Sequence, residues 1–142
     1  MSHCVFCAII AGQAESSVVH DDAHTIAFMD IRPFTRGHLL VVPKTHAANL
    51  AELDAADGGR LFQVGQRMAA ALRGSAVAAE GINFFLADGV VAGQEVFHVH
   101  LHVVPRKAGD GFGLRGRPAS SSRPALDTLA GSIRERLGAH HG

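Results

Sequence analysis

Phe97-His98-Val99-His100-Leu101-His102-Val103-Val104 alternates imidazole and aliphatic side chains with a period of two. On a β-strand that period puts His98, His100 and His102 on one face and Val99, Leu101 and Val103 on the other. Neighbouring histidines then stand roughly 6.6 Å apart and the outer pair roughly 13 Å. With ligand bonds of about 2 Å, one ion cannot take all three. Two adjacent members can share a metal, whereas the whole row suits an extended polyanion such as an oligophosphate. The ordinary alternative is the solvated face of an amphipathic strand, and three histidines in register just downstream of Gly93-Gln94 weigh against it.

Imidazole is largely neutral near pH 7 and attacks phosphorus without first losing a proton, giving a labile phosphorus–nitrogen bond. The attacking nitrogen needs its ring partner fixed as a donor, which a backbone carbonyl can do. No Asp/Glu cluster of the Mg²⁺ type is apparent, so histidines, backbone amides and Gln94 would stabilise the phosphoryl charge, with no catalytic metal required. A second motif is Cys4-x-x-Cys7, which holds both cysteines of the chain. In a chain expected to be cytoplasmic, this spacing favours metal binding or redox chemistry over a structural disulfide. Two free thiols are the alternative.

These residues must be positioned by a small body. The chain has 142 residues, 13 Lys+Arg against 13 Asp+Glu, 47% hydrophobic and 18% charged residues. That composition fills one core, excludes disorder for most of the chain, and predicts a single domain over 1–142. Zero formal net charge leaves no global basic field for duplex nucleic acid or an anionic membrane. The N-terminal stretch lacks the basic start and long apolar segment of a secretory signal. No apolar run approaches the eighteen or so residues of a membrane span. The expectation is a cytoplasmic protein with neither nucleic acid nor membrane as partner. Of the 10 histidines, His140 and His141 sit in a terminal tail and are expected to be solvated.

Periodicity and punctuation predict an α+β fold. Cys7 to Ala11 reads as a short helix, and Thr25–Asp30 and Gly37–Pro43 as antiparallel neighbouring strands. The main helix runs from about Asp54 to Arg73, with Leu61, Val64, Gly65, Met68 and Leu72 at helical spacing and Gly74 as its cap. Ile82–Ala87 and Val96–Val104 form a hairpin with a longer loop, and Pro105 ends the last strand. Residues 113–142 are a variable C-terminal loop and a closing helix from about Pro124 to Leu137. The sum is an antiparallel meander of about five strands with one long helix and a C-terminal helix.

The row His98-Val99-His100-Leu101-His102-Val103-Val104 resembles the signature of the histidine triad nucleotide hydrolases and transferases. The likeness extends to Ala27-Phe28-Met29-Asp30-Ile31-Arg32-Pro33, to Gly37-His38-Leu39-Leu40-Val41-Val42-Pro43-Lys44-Thr45-His46, to Asp88-Gly89 and to Ala92-Gly93-Gln94, in the family's order and spacing. It covers roughly Cys4 to Phe112. Such a composite is far more specific than the triad alone. The resemblance implies that His100 is the nucleophile that accepts a nucleoside monophosphate. His98 and His102 would contact phosphate and leaving group, the His98 carbonyl would orient His100, and His38 would support the triad from the neighbouring strand. Asp30 matches the acid that binds the ribose hydroxyls. Phe6, Ile9, Phe28 and Ile31 match the apolar slot for the base, and Gln94 matches a Gln near the phosphates. Relatives with the same C-x-x-C imply a structural zinc on Cys4, Cys7, His46 and His98.

Two positions depart from the pattern. Ala87 stands where the nucleotide-binding branch carries Asn, and Glu95 stands where Ser or Thr donates to the phosphate; a carboxylate there repels the anion unless it is turned away or acts as an acid. The expected activity is cleavage of a nucleoside phosphoramidate or a dinucleoside polyphosphate to a purine nucleoside monophosphate, AMP or GMP, through a nucleotidyl-histidine intermediate. The rivals are a nucleotide-binding or interaction module with little turnover, and a zinc hydrolase with metal on His100 and His102. A homodimer is expected, since family members pair through the long helix and a strand, and Gly65, Met68, Ala69 and Leu72 offer a face to a second copy.

Overall fold

The computed structural model describes residues 4–140, with side chains through residue 138. Its elements are α1 (Val5–Ile10), β1 (Val18–Asp21), β2 (Thr25–Met29), β3 (Leu39–Pro43), α2 (Ala55–Gly74), β4 (Gly81–Phe85), a 3-10 turn at Val90–Ala92, β5 (Leu101–Arg106) and α3 (Arg123–His140). They fall into two compact units, one up to Phe112 and one from Gly113 onward. In the first unit five strands form one antiparallel sheet in the order β1-β2-β3-β5-β4. The α+β class is as expected. The order departs from a simple meander at its last step: the chain leaves β3 through α2 to the edge strand β4, and β5 returns between them. In the second unit α3 begins behind Ser122, whose Oγ accepts from the Ala125 N–H. The side chain of His140 and all of His141 lie outside the described residues.

β3 shows why the sheet is covered on both faces. Its run Leu-Leu-Val-Val-Pro is buried throughout, because alternate side chains enter two different cores. Leu39 and Val41 pack with Leu61, Val64, Met68 and Leu72 of α2 and with Val99, Leu101 and Val103. Leu40 and Val42 point the other way, to Phe6, Ile26 and Phe28. The short helix α1 thus lies over the face opposite α2, which brings Cys4 and Cys7 to the side of the sheet where the histidines emerge.

Several expected boundaries move. Segment 96–104 is not one strand, since β5 starts only at Leu101. His98 and His100 precede the ladder; the Val99 N–H donates to the Ala47 carbonyl and the His98 ring to the Pro43 carbonyl, so this stretch follows the loop after β3. The aliphatic alternation survives, with Val99, Leu101 and Val103 all in the α2 core. Pro105 does not end the strand. The Arg106 carbonyl accepts from Glu80 N–H on the β4 side, while the Pro105 carbonyl faces away and accepts from Thr35 Oγ1. The missing Pro105 N–H therefore points past the end of the β3 pairing, where no ladder bond is lost. Gly74 is the last helical residue rather than the cap, because Ser75 donates from Oγ to the Leu72 carbonyl in the cap position. α1 starts earlier than expected because Cys4 Sγ accepts from the Cys7 N–H as its N-cap. β1 supplies the fifth strand of the expected sheet, in a segment that the sequence does not mark.

Gly65, Met68 and Leu72, expected to face a second copy, are buried against the chain's own sheet. A Cβ on Gly65 would sit 3.0 Å from Leu101 Cδ2 and 3.0 Å from Phe84 Cζ. The small residue at this position serves close helix–sheet packing.

Candidate active site

The hydrogen bonds fix which nitrogen of each histidine carries its proton, and the four rings differ. His100 places Nδ1 at 2.7 Å from the His98 carbonyl, so Nδ1–H donates and the lone pair is left on Nε2. His98 donates from Nε2 to the Pro43 carbonyl at 2.7 Å, which leaves its lone pair on Nδ1. The Phe34 N–H donates to Nδ1 of His38, so His38 carries its proton on Nε2, 2.8 Å from His102 Nδ1. His102 must accept there and so bears its own proton on Nε2. The pair His100 and His102, with ring centroids 4.9 Å apart, thus offers one lone pair and one N–H donor. Burial lowers the pKa of His38, His98 and His100 from the ordinary value, and burial together with the neighbouring imidazoles lowers that of His102 to about 4. All four rings are neutral near pH 7.

His100 and His102 line a cleft of about 540 Å³. One wall is apolar, from Phe6, Ile9, Phe28 and Leu40. Asp30 stands on the rim with Oδ1 accepting from the Arg32 N–H and Oδ2 3.5 Å from His38 Nε2. Phe34 and Phe85 flank His102, with centroids at 6.0 Å and 5.4 Å. The size and the mix of an apolar wall with a few convergent polar groups suit a ligand such as a nucleoside phosphate.

Behind the cleft, four donor atoms converge: Cys4 Sγ, Cys7 Sγ, His46 Nδ1 and His98 Nδ1 all lie within 4.8 Å of one another. Individual separations are 3.3 Å for Cys4 to His98, 3.3 Å for Cys7 to His46, 3.5 Å for Cys7 to His98 and 3.0 Å between the two imidazoles. A tetrahedral ion with bonds of about 2.0–2.3 Å needs edges of roughly 3.3–3.8 Å, which the three sulfur–nitrogen separations match while the two imidazole nitrogens stand slightly closer, and the donor types are those of zinc. The lone pair on His98 Nδ1, forced by the Pro43 contact, completes the fit. A second group, Asp30, His38 and His102, also converges. There the Phe34 N–H occupies Nδ1 of His38 and the proton on Nε2 is donated to His102, so the two imidazoles form a hydrogen-bonded pair with Asp30 Oδ2 3.5 Å from His38 Nε2. His100 and His102 do not appear together in either convergent group among the described residues.

Comparison with known proteins decides the family. The family described as HIT domain matches residues 11–109. The chain belongs to the histidine triad family. An uncharacterized HIT-like protein of Mycobacterium tuberculosis is 46% identical over 134 residues, covering 94% of this chain and 92% of that protein. A crystal structure from Streptococcus mutans superimposes with a TM-score of 0.91 at 39% identity, over 96% of this chain and 87% of that one. A Zn-bound histidine triad family protein from Mycobacterium smegmatis gives a TM-score of 0.76 at 43% identity, over 91% and 96%. A histidine triad nucleotide-binding protein from Candida albicans gives 0.87 at 29% identity, over 96% and 99%. Membership is consistent with nucleotide hydrolase or transferase chemistry.

Within this histidine triad cleft the structure brings Phe6, Ile9, Phe28, Asp30, His100 and His102 together, while Ile31 lines it but is 90% exposed. Three expected residues do not line the cleft, the first being His38, which is buried and reaches it only through His102. His98 is fully buried with both ring nitrogens engaged elsewhere, so its link to the site is its main-chain carbonyl. Gln94 turns inward, accepting from the Gly89 N–H and donating to the Ala48 and Val96 carbonyls. Its side chain ties the loop together. Phe34 and Phe85 were missed, because a Phe after Arg-Pro and one at a strand end carry no signal in a single sequence. No helix among the described residues is long and apolar enough to cross a membrane.

Proposed function

We propose that the chain is a nucleotidyl hydrolase or transferase that releases a purine nucleoside monophosphate from a phosphoramidate or a dinucleoside polyphosphate through a bond to His100. The observation that carries this reading is the tautomer of His100: its Nδ1–H is committed to the His98 carbonyl, so the Nε2 lone pair is the one at the cleft. In the first step Nε2 forms a bond to phosphorus. The bond from phosphorus to the leaving nitrogen or oxygen breaks with its electron pair, and the departing atom takes a proton from water. The ring is then a cation, and the His98 carbonyl stabilises it through the same 2.7 Å contact. The Nε2–H of His102 donates to the phosphoryl group. In the second step water bonds to phosphorus and loses a proton to solvent, and the pair of the phosphorus–nitrogen bond returns to Nε2 of His100. Asp30 takes the ribose hydroxyls and Phe6, Ile9 and Phe28 the base.

Cys4, Cys7, His46 and His98 would hold a zinc ion whose contribution is structural, fixing the His98 ring and so the carbonyl that orients His100. We also propose that residues 1–142 act as a single histidine triad domain and that the protein pairs as a homodimer, as the family resemblance implies. The test of the central reading is trapping. With radiolabelled nucleotide and an acid-sparing quench, label should reside on a peptide spanning residues 97–104 through an acid-labile, base-stable bond. Label on Cys7 or Glu95 would overturn it, and nucleotide binding without turnover or label would favour a binding module.

A further inference from the structure

Among the described residues four charged side chains line the cleft: Glu15, Asp30, Arg32 and Glu95. Three are acids. The one cation among these lining residues, Arg32, reaches from the loop between β2 and β3 toward the segment before β5, where Glu95 lies 3.9 Å away. The other basic groups nearby in sequence are engaged elsewhere: Lys44 with Asp21, Arg106 with Asp110, and Arg36 with the Ala76 carbonyl. None of the three lines the cleft. The imidazoles there are neutral and offer hydrogen bonds without charge. A single phosphoryl group is served by these donors, but among the described residues lining the cleft a chain of further phosphates meets no cation other than Arg32, which Glu95 faces.

We infer that Glu95, set against Arg32 at the cleft mouth, is a specificity-determining residue that selects leaving groups by charge, accepting an amine that is neutral or cationic and disfavouring the added phosphates of a dinucleoside polyphosphate. This rests on the nucleotidyl-His100 reading and narrows it. Each further phosphate brings about one negative charge, and at side chains this exposed, where the effective dielectric approaches that of water, a like charge about 6 Å away costs roughly a three- to tenfold factor in affinity. An ammonium on the leaving group gains a comparable factor. Both side chains are exposed, at 86% and 82% for Arg32 and Glu95, so the pair contributes little to folding and can be altered without loss of structure.

The test measures kcat/KM of the full chain for three probes sharing one nucleoside: a phosphoramidate of an amine bearing a second ammonium, a phosphoramidate of an uncharged alkyl amine, and a dinucleoside tetraphosphate. Glu95→Gln should raise the value for the tetraphosphate about tenfold, lower that for the cationic amine about threefold, and leave the uncharged amine within about twofold. Glu95→Asp should keep the wild-type ratios. Arg32→Gln added to Glu95→Gln should remove the gain for the tetraphosphate, since the freed guanidinium supplies it. High salt should compress all these ratios. An equal change for all three probes, as for a carboxyl acting as a general acid, or no change, would overturn the inference. Failure of the unaltered chain to turn over any probe would instead overturn the nucleotidyl-His100 reading.

Discussion

Nδ1 of His100 lies 2.7 Å from the carbonyl oxygen of His98, and the ring of that same His98 donates to Pro43 while turning Nδ1 toward Cys4, Cys7 and His46. One residue thus serves two places with opposite ends, its main chain orienting the cleft histidine and its side chain closing the thiol and imidazole cluster. His98 is fully buried, so water cannot replace either contact if one is lost. The cluster and the cleft are thus linked through a single buried residue without the cluster reaching into the cleft.

His100→Ala should lower turnover by about four orders of magnitude, as expected for loss of a covalent nucleophile. Nucleotide binding should change by less than about tenfold, since Asp30, Phe6 and Phe28 are untouched. Single-turnover kinetics alongside equilibrium binding separate the two quantities. Turnover within tenfold of the unaltered chain would show that another group forms the bond.

Cys4→Ser removes a donor from the zinc-type set and should reduce metal from about one zinc per chain to near none. The melting temperature should fall by several degrees. Because His98 then loses its fixed ring, kcat should drop by about tenfold with little change in KM, a split that a purely global destabilisation would not give at temperatures well below melting. Metal analysis, calorimetry and steady-state kinetics on one preparation check all three. Full metal content in the variant would remove Cys4 from the site.

The composite of Asp30-Ile31-Arg32-Pro33, Gly37-His38 and the histidine row made the family legible, and period two correctly sorted Val99, Leu101 and Val103 to the α2 core. What could not be read was where the strand begins, because side-chain alternation continues through His98 and His100 although their backbone bonds go to the loop after β3. Gln94 was legible as a residue of the site but not in its role, since only the fold shows its amide turned to Gly89, Ala48 and Val96. Gly65 gave the right helix face and the wrong neighbour: a small residue signals close approach without saying whether the approach is to a second copy or to Leu101 and Phe84.

Acid should destabilise the fold in a window set by His102. Its folded pKa is about 4, lowered first by burial and then by the charges of His100 and His38, against an ordinary value near 6.5. The unfolded chain therefore binds the proton first. The stabilising difference is fully present above pH 6.5, is lost as pH falls from 6.5 toward 4, and levels off below. Denaturant midpoints between pH 8 and pH 4 should show this decline, and His102→Asn should flatten part of it. A variant with the same slope as the unaltered chain would assign the effect to other groups.

Gln94→Ala should damage stability more than affinity. The side chain is nearly fully buried and makes three part-buried hydrogen bonds, so truncation leaves the Gly89 N–H and the Ala48 and Val96 carbonyls without their partner. With about 1–3 kcal/mol for a buried group left unpaired, and some relief by a water entering the gap, the loss should be about 2–3 kcal/mol. Gln94→Glu keeps the acceptor for Gly89 but removes both donors, so it should be at least as destabilising despite its similar size. Nucleotide affinity should change by less than about threefold in Gln94→Ala at temperatures where it remains folded, because the side chain does not line the cleft. Denaturant unfolding with parallel binding isotherms distinguishes the cases: a large loss of affinity with normal stability would put the amide on the phosphate after all.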